Sequence, residues 1–387
     1  MPLTHLHTAQ GLAEQALYLS NPNPRVGCVL TDAGGRVVGQ GHTQAVGGPH
    51  AEVMALRDAQ TRGHDVRGGT AHVTLEPCSH HGRTPPCCDA LVAAGIAQVV
   101  IATLDPNPLV AGQGAERLRA AGVHVHVLPV SSPESMASRQ LNIGFFSRMR
   151  RGRPWVRLKM AASLDGITAL PNGVSQWITG EAARADGHAW RARACAVLTG
   201  IGTVRQDNPR LDVRAIHTPR QPEVFVVDSR FETPPSAALF LPLPDAQPRT
   251  VHIVGTHEQA QAHPERLAAL TAVGARTWAL QAEDKDPKAK LDLADLMAAL
   301  GRHGVNELHV EAGQGLNASL LRGNWVDECL IYLAPQLLGQ GAGMARLGPL
   351  SAIGDGVSLQ WNSVDRLGPD LRVCATVAHH ADFLHRD

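Results

Sequence analysis

Aromatic residues are scarce: two Tyr, six Phe and six Trp make up 4% of 387 residues. A protein that grips single strands by stacking bases needs more rings than that. The formal net charge is zero, so there is no basic surplus to hold polynucleotide phosphates or an acidic membrane. Lysine is rarer still, with four against 31 arginines, which reads as a composition bias and not as a function. Seven cysteines are an odd and thin set for this length. They do not suit a disulfide scaffold, and a cytoplasmic, reducing location is expected. The N-terminus "MPLTHLHTAQGLAEQAL" lacks a basic region followed by an apolar stretch, so no signal peptide is read there. No window reaches the roughly 18 uninterrupted apolar residues of a membrane span. Internal repeats and low-complexity tracts are missing too.

What remains is ordinary globular material, 44% apolar and long enough for two domains. Leu3, Leu6, Leu12, Ala16 and Leu19 suggest a helical face. Strands are predicted at 26–30, 37–42, 70–75, 98–103 and 123–128, with helices over 50–59, 86–95 and 114–121. This is a five-stranded α/β layer. The basic stretch "SRMRRGRPW" (147–155) lacks apolar periodicity and marks the boundary, giving domains 1–147 and 148–387. Beyond it the alternation restarts. Strands are predicted at 155–163, 196–203, 223–229, 250–255, 307–313 and 328–335, and helices at 181–194, 264–272, 292–303 and 315–322. Such repetition implies a mostly parallel sheet covered on both faces, with a strand-rich end.

"GGPHAEVMAL" (47–56) and "LEPCSHHGRTPPC" (75–87) carry the first chemistry. His50, Cys78 and Cys87 together offer one imidazole and two thiolates, a zinc ligand set with one corner left for water. Zinc would bring that water's pKa to about 7, and Glu52 would carry a proton from it to a leaving amine. At a helix entrance the first residue is only half helical, so His50 and Glu52 can face one pocket, and Pro49 fixes that entry. Cys87 follows Pro85–Pro86 at another helix start, where unpaired N–H groups favour a thiolate. Singly, each feature is common. A lone His-x-Glu mostly means nothing, and two cysteines with eight residues between them are often core or structural zinc ligands. Jointly they follow the zinc nucleobase deaminase pattern of H-x-E, then P-C and a second cysteine. Six extra residues separate the cysteines here, enough for a substrate-binding lobe that holds His80, His81 and Arg83.

With "NPNPRVGCVL" and "DPNPLVAGQG" added, the motifs of 20–115 resemble the deaminase half of the bifunctional riboflavin-biosynthesis deaminase–reductases. The resemblance implies a cytidine-deaminase-like α/β/α fold. It also implies hydrolytic loss of the 2-amino group from a diaminopyrimidinone ribosyl phosphate, with one zinc ion. By the same resemblance Asn23, His42, His80 and Arg83 contact base or phosphate; Arg83 suits a dianion by its forked geometry.

"VEAGQGLNASLL" (310–321) is a strand, a Gly-rich turn and a helix. Gly313 and Gly315 would let the backbone approach a phosphate at the helix N-terminus. Such turns also join many strands and helices without any ligand. "KMAASLDG", "SQWITG", "TVRQDNPRL", "VVDS" and "VEAG" resemble the reductase half of the same family over about 155–375. That half is similar in fold to dihydrofolate reductase and uses NADPH. The resemblance places Ala161, Trp177, Thr203, Asp207, Ser229 and the 313–319 turn around the cofactor. It places Ser175, Arg191, Leu211, Arg214 and Glu311 around the substrate, with Arg191 and Arg214 on its phosphate. Lys159, Asp207 and Glu311 are candidates for proton handling during hydride delivery to sugar C1, unranked by sequence.

The expectation is a two-domain enzyme acting on a small pyrimidine ribosyl phosphate, without nucleic-acid or membrane partners, and assembled as a homo-oligomer, dimer or tetramer. A polynucleotide deaminase is the first rival, disfavoured by the missing charge and rings. A non-catalytic zinc protein is the second, disfavoured by Glu52.

Overall fold

The computed structural model describes residues 3–79, 86–108, 110–243, 247–284 and 290–386. Its chain forms two compact units, Met1–Gly152 with Asp382–Asp387, and Arg153–Ala381. None of the helices among the described residues is long and apolar enough to cross a membrane.

In the first unit the elements run α1 (Thr4–Gln15), β1 (Gly27–Thr31), β2 (Val37–His42), α2 (Ala51–Thr61), β3 (Thr70–Val73), α3 (Cys87–Ala93), β4 (Gln98–Ile101), α4 (Gln113–Ala120), β5 (His124–Val127), α5 (Pro133–Leu141) and α6 (Ile143–Arg151). The sheet order is β2-β1-β3-β4-β5. β1 is antiparallel to both neighbours, and β3, β4 and β5 are parallel. Cys28, Leu30, Val73, Leu91, Ile101 and Phe146 are among its core. Two helices lie against backbone, not against side chains. A Cβ on Gly27 would sit 1.8 Å from the Ala9 carbonyl of α1, and one on Gly41 would sit 2.5 Å from the Ala51 carbonyl of α2. The facing helix positions Ala51, Ala55 and Ala59 are all buried. Small residues on both sides thus seat α2, and with it the His50 entrance, close to the sheet.

The stretch 147–151, read above as part of the domain boundary, is the last part of α6, whose Gly144, Phe145, Phe146 and Ser147 are buried. Its arginines hide the periodicity because they pack as cations over rings, Arg150 over Phe146 at 5.4 Å and Arg151 over Phe383 at 4.5 Å. Gly152, with φ of 69°, ends the helix. The chain's last turn returns to this unit: Leu384 joins its core, and Arg139 Nη1 donates to the Leu384 carbonyl at 2.7 Å.

His72 on β3 is buried and its ring lies 4.9 Å from that of His5. Burial, helped by the His5 charge, pushes its pKa down from 6.5 to about 4. An unfolded chain takes up this proton near pH 6.5, whereas the folded one refuses it until about pH 4. His72 therefore makes stability fall as pH drops through that window and leaves it intact above. His72→Gln is expected to flatten the fall, read as urea midpoints at pH 7.5 and pH 5.

The second unit contains β6 (Trp155–Ser163), β7 (Ile167–Ala169), α7 (Glu181–Arg193), β8 (Ala196–Gly200), α8 (Ile201–Asp207), β9 (Glu223–Val227), β10 (Val251–Thr256), α9 (His257–Ala262), α10 (Pro264–Ala272), β11 (Arg276–Leu280), α11 (Leu293–His303), β12 (Glu307–Val310), α12 (Gln314–Arg322), β13 (Glu328–Ala334), β14 (Ala342–Gly343), β15 (Leu359–Leu367) and β16 (Asp370–Val377). Nine strands form one sheet, β11-β10-β9-β8-β12-β6-β13-β16-β15. The run from β11 to β13 is parallel, and β16 and β15 close it antiparallel. Leu296, Met297 and Leu300 of α11 pack with Val156, Leu158, Leu308 and Val310 of the central strands. From β8 the chain winds outward to β11; from β12 it crosses β6 to β13. The crevice past the carboxyl ends of β8 and β12 is therefore the point where winding reverses, the usual ligand position of an open parallel sheet.

Candidate active sites

The first site sits where α2 begins. His50 caps α2 in an extended conformation, and Glu52 lies in its first turn. The loop after β3 brings Cys78 alongside, and Cys87 opens α3. His50 Nδ1 is 3.6 Å from Cys78 Sγ and 3.4 Å from Cys87 Sγ. The three ligand atoms lie within 4.8 Å of one another, and among the described residues the group stops at three. One imidazole and two thiols at this separation fit zinc with a corner left open. The thiols titrate together: Cys87's hydrogen bond, helped by His50, lowers Cys78 to about 4, and Cys87 rises in return. Glu52 is 3% exposed. Burial lifts its carboxyl to about 7, and the Cys78 charge adds to the rise.

His50, Glu52 and Cys78 line a cavity of about 430 Å³ together with Asn23, Asn107 and Phe145. Asn23 thus lines the same cavity as His50 and Cys78. His42 ends β2, with Nδ1 3.1 Å from the Thr43 carbonyl. His80, His81 and Arg83 lie outside the described residues. Glu76 was not singled out by sequence. Its carboxylate accepts from Asp105 N at 3.1 Å, Gly112 N at 2.9 Å and Ala115 N at 2.9 Å, which anchors the 105–112 loop beside Cys78. Gly114 permits this fit, since a Cβ there would meet the Pro77 carbonyl at 2.1 Å. The signal was present, an acid two residues before a metal-ligand cysteine, but its partners are remote in sequence.

The second site lies past the end of β12, beside the middle of β6. Arg191 of α7 clasps Glu311 with two bonds, Nε to Oε1 at 2.7 Å and Nη2 to Oε2 at 3.0 Å. Lys159 Nζ reaches Glu311 Oε2 at 3.9 Å, and buried His309 Nε2 lies 3.5 Å from Oε1. Burial would raise the Glu311 carboxyl, but Arg191, with His309 and Lys159, outweighs it and holds the group well below its usual range. Burial pushes Lys159 down, with Glu311 opposing and Arg191 adding to the drop. Arg191 also donates to the Asp212 carbonyl. The Asp212 carboxylate accepts from Arg210 at 3.0 Å and Arg214 at 2.6 Å. Asp212, just after "TVRQDNPRL", was not singled out by sequence; it draws Leu211, Arg214 and Arg191 together. Leu211 is buried and adopts φ of 53°.

Thr203 and Gly313 meet at the winding reversal: a Cβ on Gly313 would lie 3.7 Å from Thr203 Oγ1. Gly313 caps α12 with no side-chain hydrogen bond to its first N–H groups, and a Cβ on Gly315 would meet nothing. An open, glycine-lined helix N-terminus at this position fits the pyrophosphate of a dinucleotide. Ser175 Oγ donates to Asp207 Oδ1 at 3.4 Å, and burial raises Asp207. Trp177 is exposed, with Arg184 over its ring at 4.6 Å. Ser229 Oγ accepts from Leu291 N at 3.0 Å. Ala161 lies on β6 opposite Tyr332.

Comparison with known proteins matches both units to known families. Residues 3–103 match the cytidine and deoxycytidylate deaminase zinc-binding region, and residues 154–373 match the RibD C-terminal domain. The chain is 42% identical over 381 residues to riboflavin biosynthesis protein RibD of Escherichia coli K12, covering 95% of this chain and 97% of that protein. Acinetobacter baumannii RibD, form 1, aligns with a TM-score of 0.84 at 36% identity over 97% of this chain and 98% of its own. A Thermotoga maritima diaminohydroxyphosphoribosylaminopyrimidine deaminase/5-amino-6-(5-phosphoribosylamino)uracil reductase gives 0.81 at 30% identity over 97% and 98%. The chain belongs to the RibD family, and it is a bifunctional deaminase and reductase of riboflavin biosynthesis that uses zinc and NADPH.

Proposed function

We propose that this chain deaminates 2,5-diamino-6-(5-phosphoribosylamino)pyrimidin-4-one at the His50–Cys78–Cys87 site and then reduces the ribosyl chain to give 5-amino-6-(5-phosphoribitylamino)uracil. The reading assigns deamination to the first unit and reduction to the second. The observation that carries it is Glu52, a buried carboxyl that lines one cavity with His50 and Cys78 of a three-ligand metal cage. A closed structural zinc site has four protein ligands and no use for such an acid.

Bound by His50, Cys78 and Cys87, zinc supplies the Lewis acidity that makes water nucleophilic at neutral pH. Glu52 accepts the proton from that water on its carboxylate oxygen and hands it to the departing amine. Water is consumed and ammonia released. The cavity holds the base, and Asn23 offers its side-chain amide to the ring. In the second step NADPH supplies the hydride. Arg191 and Arg214 attract the phosphate, and the α12 N-terminus orients the dinucleotide. Of the three proton-handling candidates, Lys159 fits best: its ammonium is destabilised by burial and lies 3.9 Å from Glu311. Glu311 stays ionised on Arg191 and serves as its anchor.

A cytoplasmic location is supported by the seven free cysteines. A homo-oligomer, dimer or tetramer, is supported by Trp361 and Val364 on edge strand β15, which are 66% and 59% exposed and call for a cover.

Removing zinc by chelation is expected to stop ammonia release while NADPH oxidation on pre-deaminated substrate continues. Loss of both activities, or of neither, would contradict this division of labour.

A further inference from the structure

We propose that Glu223, His252 and His303 form a second zinc site in the reductase unit, separate from both reactions. Their ligand atoms lie within 4.8 Å of one another. His303 Nε2 is 2.8 Å from Glu223 Oε2, and His252 Nε2 is 3.6 Å from the same oxygen. Tetrahedral zinc with bonds near 2.0–2.1 Å sets its ligands about 3.3 Å apart, between these two values.

His252 is the telling residue. It is fully buried, yet neither ring nitrogen has a hydrogen-bond partner. Burying such groups without partners is costly, and a metal on Nε2 removes part of that cost. The ring cannot turn away to find another partner. Phe225 stacks on it at 4.2 Å with planes 5° apart, and Trp278 meets it edge-on at 5.3 Å. Trp278 also meets the His303 ring at 5.1 Å, so both imidazoles are held in place. The side chains of His303 and Glu223 are 30% and 34% exposed, which leaves an entry for the ion and room for a water as fourth ligand. Two imidazoles and one carboxylate suit zinc better than magnesium or calcium, which prefer all-oxygen shells.

Topology separates this site from the reaction. Glu223 begins β9, His252 is the second residue of β10, and His303 ends α11. Two are strand starts and one a helix end beside them, whereas Glu311 and Gly313 follow a strand end, on the opposite side of the parallel sheet along the strands. The ion would tie two strands to the helix that covers them.

The test is zinc per chain in the purified holoenzyme after dialysis against a zinc-buffered solution. The wild-type protein is expected to keep two, and His303→Gln and Glu223→Gln one each, with deamination and reduction rates unchanged. Cobalt substitution gives a second readout should one variant fold poorly. The Cys78–Cys87 site adds thiolate-to-cobalt charge-transfer bands, and the second site adds weaker ligand-field bands that Glu223→Gln removes. A single zinc in the wild-type protein, or a cobalt spectrum that Glu223→Gln leaves unaltered, would overturn the proposal.

Discussion

Glu52→Gln is expected to cut ammonia release by about 10²- to 10⁴-fold, the range for losing a positioned general acid–base, while zinc content and the reductase rate on deaminated substrate hold. The reasoning is local. Gln keeps the volume and hydrogen-bonding reach of Glu at a position that is 3% exposed, so α2 keeps its seat on β2. It cannot accept a proton from water and return it to an amine. His50, Cys78 and Cys87 are untouched, so the cage still binds metal. Ammonia release and zinc analysis on the same preparation separate this result from simple unfolding. A variant as fast as the parent would remove Glu52 from the reaction.

Arg191→Leu is the counterpart in the second unit. Arg191 and Glu311 are 12% and 16% exposed at their side chains, and their bond is bidentate. Removing one partner of such a pair strands the other, at a cost of about 3–5 kcal/mol; Lys159 at 3.9 Å offsets part of it. The Asp212 carbonyl also loses a donor, which frees the 210–214 loop. NADPH oxidation is expected to fall about 10²-fold, as a displaced positioning group does, with deamination unaffected. Adding Glu311→Leu restores part of the stability in urea, because the carboxylate is no longer stranded although Lys159 loses its partner, but it does not restore reduction. Restored reduction in that double variant would mean that the pair serves folding alone.

The two sites were not equally legible. His50, Glu52, Cys78 and Cys87 sit in short segments whose chemistry is narrow, because few roles need a His and an acid at one helix entrance, a cysteine at another and a second cysteine in the loop between strand and helix. The five-stranded layer and the central strands of the larger sheet were readable from period alone. α5 and α6 were not. Arg148, Arg150 and Arg151 crowd the turn that packs against Phe383 and Phe145, so the apolar stripe is broken in sequence but whole in space. Local pattern also could not show that Leu384 returns to a core begun 358 residues earlier, near Val26. The Arg191–Glu311 clasp and the three bonds to Glu76 span separations of 120 and up to 39 residues. Such pairs are set by topology, which periodicity does not encode.

The most direct test of the account is anomalous scattering at the zinc edge from crystals of the loaded enzyme. A peak bonded to His50 Nδ1, Cys78 Sγ and Cys87 Sγ, with solvent as fourth ligand and Glu52 beside it, is the predicted result. A peak whose fourth ligand is a protein side chain, or no peak among those three residues, would contradict it.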